Sequence, residues 1–126
     1  MPQMTGGQAI VSELILNGTD VVFGLPGAQI YGLFDALHEY DVRVIGARHE
    51  QGCAYMALGY ARASGRPGVY AVVPGPGMLN ASAALLTAYG CNSPVLCLTG
   101  QVPSASLEGV AGICTRCAIN YPPCAS

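Results

Sequence analysis

Four short apolar runs constrain this chain more than any other feature: Val21-Val22-Phe23, Val42 to Ala47, Val69 to Val73 and Val95 to Leu98. Each is followed by a loop, and the first three loops lead into a helical pattern. Runs this short and this uniformly apolar suit strands covered on both faces. Strands that alternate with helices call for an α/β architecture with a parallel sheet.

The helical patterns are explicit. Thr5 stands as an N-cap before Ala9, Ile10, Leu14 and Ile15, and Gly18 follows as a stop. Ile30, Leu33, Phe34 and Leu37 form a second apolar stripe that ends near Tyr40. From Gln51, residues Tyr55, Met56, Leu58, Gly59 and Ala63 fit a third helix rich in small side chains, closing at Ser64-Gly65. A fourth runs from Met78 to Tyr89 with Gly90 as its cap. Right-handed crossovers put every strand end on one side of the sheet. The loops 24–27, 48–51, 74–77 and 99–101 should therefore gather at the carboxyl edge, where α/β folds build their sites.

Glu50 is the leading candidate for chemistry. It sits where the second strand hands over to a helix, so partial burial is expected there. Burial raises a carboxyl pKa and lets the group share or donate a proton. The residues alone leave a second reading open, and it is the commoner one: a solvated first-turn acid that complements the helix dipole. Gly75-Pro76-Gly77, with Asn80 in the turn that follows, is either an anion-binding helix start or plain turn chemistry. Gly24-Leu25-Pro26-Gly27 is either a rigid turn or a close backbone approach to a ligand. Gln101 follows the fourth strand as a polar contact in the same cleft or as an exposed loop residue. His49 has no serine or cysteine partner in a recognisable motif, so no triad is read. His38, late in a helix, suits the negative helix end. No complete metal site is expected in this chain.

Composition narrows the classes further. Hydrophobic residues make up 52% of the 126 residues and charged residues only 10%. A chain this short must place apolar area on its surface, so it is expected to need a partner or another domain. A net charge of −2 argues against nucleic acid as a ligand. No apolar run approaches the roughly 18 residues of a membrane span. The start, Met1-Pro2-Gln3-Met4, has no signal-like core, and a cytoplasmic protein is expected. Of six cysteines, Cys53, Cys91 and Cys97 read as small buried hydrophobes.

Taken in order, Phe23-Gly24-Leu25-Pro26-Gly27, Arg48-His49-Glu50-Gln51, Pro74-Gly75-Pro76-Gly77 with Asn80, and Thr99-Gly100-Gln101-Val102-Pro103 resemble a known pattern. It is that of the N-terminal, pyrimidine-binding domain of thiamine diphosphate enzymes, acetolactate synthase large subunits among them. The resemblance covers about residues 4 to 105 and implies part of a flavodoxin-like, three-layer α/β/α domain. It implies that Glu50 hydrogen-bonds the aminopyrimidine of thiamine diphosphate and promotes the imino tautomer that deprotonates the thiazolium carbon. It implies that Pro26, Gly27, Gly75 and Asn80 line the pyrimidine pocket and that Gln101 stands near a 2-keto acid substrate. The cofactor's diphosphate would be held through Mg²⁺ by a C-terminal domain absent from this chain, and the active site would lie between two subunits of a homo-oligomer. Ala28-Gln29 stands where the decarboxylase branch often carries a histidine, which speaks against simple decarboxylation and favours the synthase-like or uncharacterised branches. Two rival readings are an inactive remnant or binding module of the same fold, and an unrelated phosphate-binding α/β domain.

The resemblance divides the chain into a partial domain over 1–105 and an irregular tail over 106–126. Cys114-Thr115-Arg116-Cys117 and Cys124 invite a redox or zinc reading, but there is no second pair at suitable spacing. Codons able to encode Cys-Thr-Arg-Cys also spell Leu-His-Glu-Met one base over. The tail is therefore expected to be a disordered frameshift product, and sequencing the coding DNA tests this.

Overall fold

The computed structural model describes residues 3–103. The cysteine-rich tail and its frameshift reading lie outside the described residues.

Helix α1 spans Gly6–Leu16 and starts on a reciprocal cap. The Gln8 N–H donates to Thr5 Oγ1 at 3.2 Å, and the Thr5 N–H donates to Gln8 Oε1 at 2.9 Å. Then come β1 (Val21–Gly24), a 3-10 turn at Ala28–Ile30, α2 (Tyr31–Glu39), β2 (Arg43–Gly46), α3 (Glu50–Ser64), β3 (Gly68–Val72), α4 (Pro76–Gly90) and β4 (Val95–Thr99). The sheet is wholly parallel in the order β2-β1-β3-β4. That is the doubly wound, flavodoxin-like arrangement, and its order reverses between β1 and β3.

The period of two along each strand builds three layers. Val21, Phe23, Tyr70 and Val72 turn to one face and pack on Cys53, Ala54 and Ala57 of α3 and on Ala81 and Ala84 of α4. Val22, Val69 and Ala71 turn to the other and pack on Val11 and Leu14 of α1 and on Ala36 and Leu37 of α2. This is why β1 and β3 read as unbroken apolar runs: both faces are covered. Small residues bring the layers close. A Cβ on Gly68 would run into the Ala57 carbonyl.

Two expectations need correction. The run Val42 to Ala47 is not a buried strand: β2 is an edge, with Arg43, Val44 and Gly46 exposed and Ile45 half-buried. Sheet order, not local pattern, puts it there. Cys91 is exposed, because it is the C-cap of α4, beyond the helix's packed turns. The Arg62 Nη1 reaches its sulfur at 3.8 Å. Cys53 is buried and Cys97 half-buried.

The strand starts are tied together by polar contacts. The Tyr60 hydroxyl donates to Asp20 Oδ1 at 2.7 Å, and Arg66 Nη1 pairs with Asp20 Oδ2 at 3.0 Å. Arg66 Nη2 also bonds the Gly18 carbonyl. The Tyr60 hydrogen bond, followed by the Arg66 contacts, holds the Asp20 carboxyl below its ordinary range. Within the core, Tyr70 is fully buried, and among the described residues its hydroxyl has no hydrogen-bond partner. Burial pushes this phenol above its ordinary range, and the neighbouring Cys97 acts in the same direction. No helix among the described residues is long and apolar enough to cross a membrane.

Candidate functional site

Because the sheet is parallel, Gly24, Gly46, Val72 and Thr99 all end on one edge. The chain leaves β1 for the α1–α2 layer and leaves β3 for the α3–α4 layer. The crevice between these exits is the switch point of the fold.

Glu50 is the first residue of α3, and the residue before it does the capping. His49 is extended, and its Nδ1 accepts from the Gln51 N–H at 3.2 Å. That bond needs Nδ1 as the acceptor, which puts the ring proton on Nε2. With His49 as the cap, the Glu50 side chain is not drawn back to its own helix start. It turns instead to α4. Asn80 Nδ2 donates to Glu50 Oε2 at 3.0 Å. Glu50 Oε1 and Cγ lie 3.4 and 3.5 Å from where a Cβ on Gly77 would stand. The half-buried carboxylate therefore lies over the first turns of α4, whose positive end favours an anion. Among the described residues Oε1 receives no hydrogen bond.

The α4 start itself depends on Gly75. Its φ of 67° and ψ of −115° are closed to residues with a Cβ, and Pro76 follows at the first helical position. Gly75 and Gly77 are both buried. Val73, just past the end of β3, joins the glycine loops. A Cβ on Gly77 would stand 2.7 Å from Val73 Cγ2, and a Cβ on Gly27 would run into Val73 Cγ1. The two Val73 methyls thus fill the space between the first and third loops. No motif in the sequence marks Val73. The available signal is its place as the last apolar residue before Pro74-Gly75-Pro76-Gly77.

The fourth loop reaches the same edge from another side. A Cβ on Gly100 would run into the Gln29 carbonyl and stand 2.7 Å from Ile30 Cγ2. Gln101 is exposed and turned onto its own backbone, its Oε1 accepting from the Val102 N–H at 2.9 Å. Of the residues singled out in the sequence, the structure brings Glu50 and Asn80 into direct contact. Gly27 and Gly75-Pro76-Gly77 are joined through Val73. Pro26 is exposed beside Gly27, and Gln101 makes no hydrogen bond to Glu50 or Asn80. His38 lies in the last turn of α2, where a cation suits the helix end. Among the described residues no group of three or more His, Cys, Asp or Glu could hold a metal ion. A groove of about 500 Å³ lies away from this edge, between α1 and the strands, lined by Ile10, Leu14, Val69, Leu96 and Leu98 among others.

Over residues 4–118 the chain matches the family described as thiamine pyrophosphate enzyme, N-terminal TPP binding domain. The chain belongs to this family. The match runs past Ala105 into the tail. The chain is similar to the probable acetolactate synthase large subunit of Methanocaldococcus jannaschii, 45% identical over 101 residues, covering 80% of this chain and 17% of that protein. It is similar to the mitochondrial acetolactate synthase catalytic subunit of Saccharomyces cerevisiae, 41% identical over 124 residues, covering 90% and 18%. It is also similar to the probable 2-ketoarginine decarboxylase of Pseudomonas aeruginosa, 44% identical over 104 residues, covering 82% and 19%. The chain thus spans less than a fifth of the length of these relatives. The donor set at the sheet edge is of a kind that a flat nitrogen heterocycle could use: a carboxylate oxygen with no hydrogen bond among the described residues, Val73 and that oxygen both bordering the space beside Gly77, and glycine backbone without side chains.

Proposed function

We propose that this chain is the pyrimidine-binding part of a thiamine diphosphate-dependent enzyme of acetolactate synthase type, acting on 2-keto acids. The observation that carries the reading is Glu50, a half-buried carboxylate at the switch-point edge with Oε2 held by Asn80 and Oε1 open. Family membership supports the cofactor, and the printed activities of the relatives support the substrate class. When bound, thiamine diphosphate supplies the electron sink that 2-keto acid chemistry requires. Glu50 offers Oε1 to a ring nitrogen and holds or returns the shared proton there. Pro26, Gly27 and Gly75 would line the ring, and Val73, whose methyls lie against Gly27 and Gly77, would back it. Gln101 reaches substrate from the fourth loop after releasing the Val102 N–H. The diphosphate and its Mg²⁺ would be held by a C-terminal domain. A partner subunit would complete the site, and turnover belongs to that larger assembly, in the cytoplasm.

Calorimetry tests the reading. Thiamine diphosphate with Mg²⁺ should give weak, saturable heat that is lost in Glu50→Gln, while ATP gives none. Tight nucleotide binding without a thiamine response would overturn it in favour of a general phosphate-binding domain. Pyruvate turnover by the chain alone would overturn the assignment of catalysis to a larger assembly.

A further inference from the structure

We infer that Asn80 is a positioning residue for Glu50: by donating to Oε2 it fixes the carboxylate plane and leaves Oε1 as the oxygen that faces the ligand. The inference rests on the proposed role of Glu50, but it concerns the protein before any ligand arrives.

Three observations converge on it. The first is the bond itself, 3.0 Å from Asn80 Nδ2 to Glu50 Oε2, joining two helices across 30 positions of sequence. The second is the space around the other oxygen. Gly77 leaves a gap where a Cβ would stand 3.4 Å from Oε1 and 3.5 Å from Cγ, so the side chain is bounded by backbone on that side. The third is His49, which takes the α3 cap that Glu50 would otherwise compete for. A glutamate has three side-chain torsions, and ordering a side chain of this kind costs rotamer freedom. A carboxylate left to wander would meet that cost when the ligand binds. Here the Asn80 amide meets it in advance.

Asn80 is exposed, in the second turn of α4, so its removal threatens the fold little. The residue therefore acts through the orientation of Glu50, and not as a wall of the pocket alone.

The test needs no cofactor. In the full chain at pH 7, labelled with ¹³C in the glutamate side chains, the order of the Glu50 side chain is read from ¹³C relaxation in wild type, Asn80→Ala and Asn80→Asp. Ser82→Ala serves as the control, since among the described residues Ser82 Oγ bonds the Leu79 carbonyl and not Glu50. Glu50 should lose order in both Asn80 variants and keep it in Ser82→Ala. A second measurement covers the case of a poorly folded variant. The Asn80 side-chain amide resonances should shift in Glu50→Ala and stay fixed in Ser82→Ala. Unchanged Glu50 order in both Asn80 variants, or an amide signal indifferent to Glu50, would overturn the inference. Thiamine diphosphate calorimetry reads the proposed function separately. A chain that passes the relaxation test and binds no thiamine compound keeps the Asn80–Glu50 unit and loses the pyrimidine assignment.

Discussion

Glu50→Gln keeps the shape of the side chain and the acceptor for Asn80, and it removes the charge and the exchangeable proton. The fold should survive, and thiamine diphosphate affinity should fall at least about tenfold by calorimetry. An unchanged isotherm would exclude Glu50 as the ring partner. Gly75→Ala puts a Cβ on a backbone at φ 67° and ψ −115°. It should cost about 1–3 kcal/mol in a urea melt. Tyr70→Phe works in the opposite direction. It deletes a buried hydroxyl that has no partner among the described residues, and should raise stability by about 1 kcal/mol. A loss of stability would show that the hydroxyl is bonded after all. At this scale the sequence was informative about kind and poor about pairing. The position of Glu50 after an apolar run pointed to the sheet edge, and the edge is where it lies. Its bond to Asn80 could not be read, because side chains 30 positions apart share no local pattern. Gln101 shows the same limit: its place in the fourth loop was legible, but its turn onto the Val102 N–H is a choice among rotamers.

The elements themselves were readable to within a residue or two. Apolar period and turn composition mark them, and both are local properties. The third strand is shifted by one residue, Gly68–Val72 against an expected Val69 to Val73, and that shift frees Val73 to face the loops. Strand order is not local, which is why the second run was expected to be buried and is an edge. Contacts between helices are equally hidden. A Cβ on Gly7 would run into the Gly32 carbonyl and stand 2.9 Å from its carbon, so α1 and α2 cross backbone to backbone at that point. Gly7→Val should therefore part the two helices and cost about 1–3 kcal/mol, read as a lowered urea midpoint. Gly59→Ala makes the control, since nothing lies within 4 Å of its missing Cβ.

For the molecule as a whole, pH and surface are the measurable properties. Asp20 is held below its ordinary pKa by Tyr60 first and then Arg66. A depressed carboxylate contributes stability above its unfolded pKa of about 3.9 and loses it as pH falls through the folded value. The urea midpoint of wild type should exceed that of Asp20→Asn at pH 7, and the two should converge toward about pH 2. The surface carries large apolar side chains, with Leu86 at 73% and Tyr89 at 86% exposure on α4. Composition foretold apolar surface, but which helix bears it depends on packing.

The Asp20, Tyr60 and Arg66 tie lies where strands begin, whereas Glu50, Val73 and Asn80 lie where strands end. The exposed polar tie and the proposed site thus lie on opposite rims of one sheet. A lineage can rewrite the ligand rim, lengthening a loop or exchanging a side chain, while the other rim keeps the strands in step. The fold behaves as a chassis with one editable face, and grafting the loops of a relative onto this chain is the natural way to change what it binds.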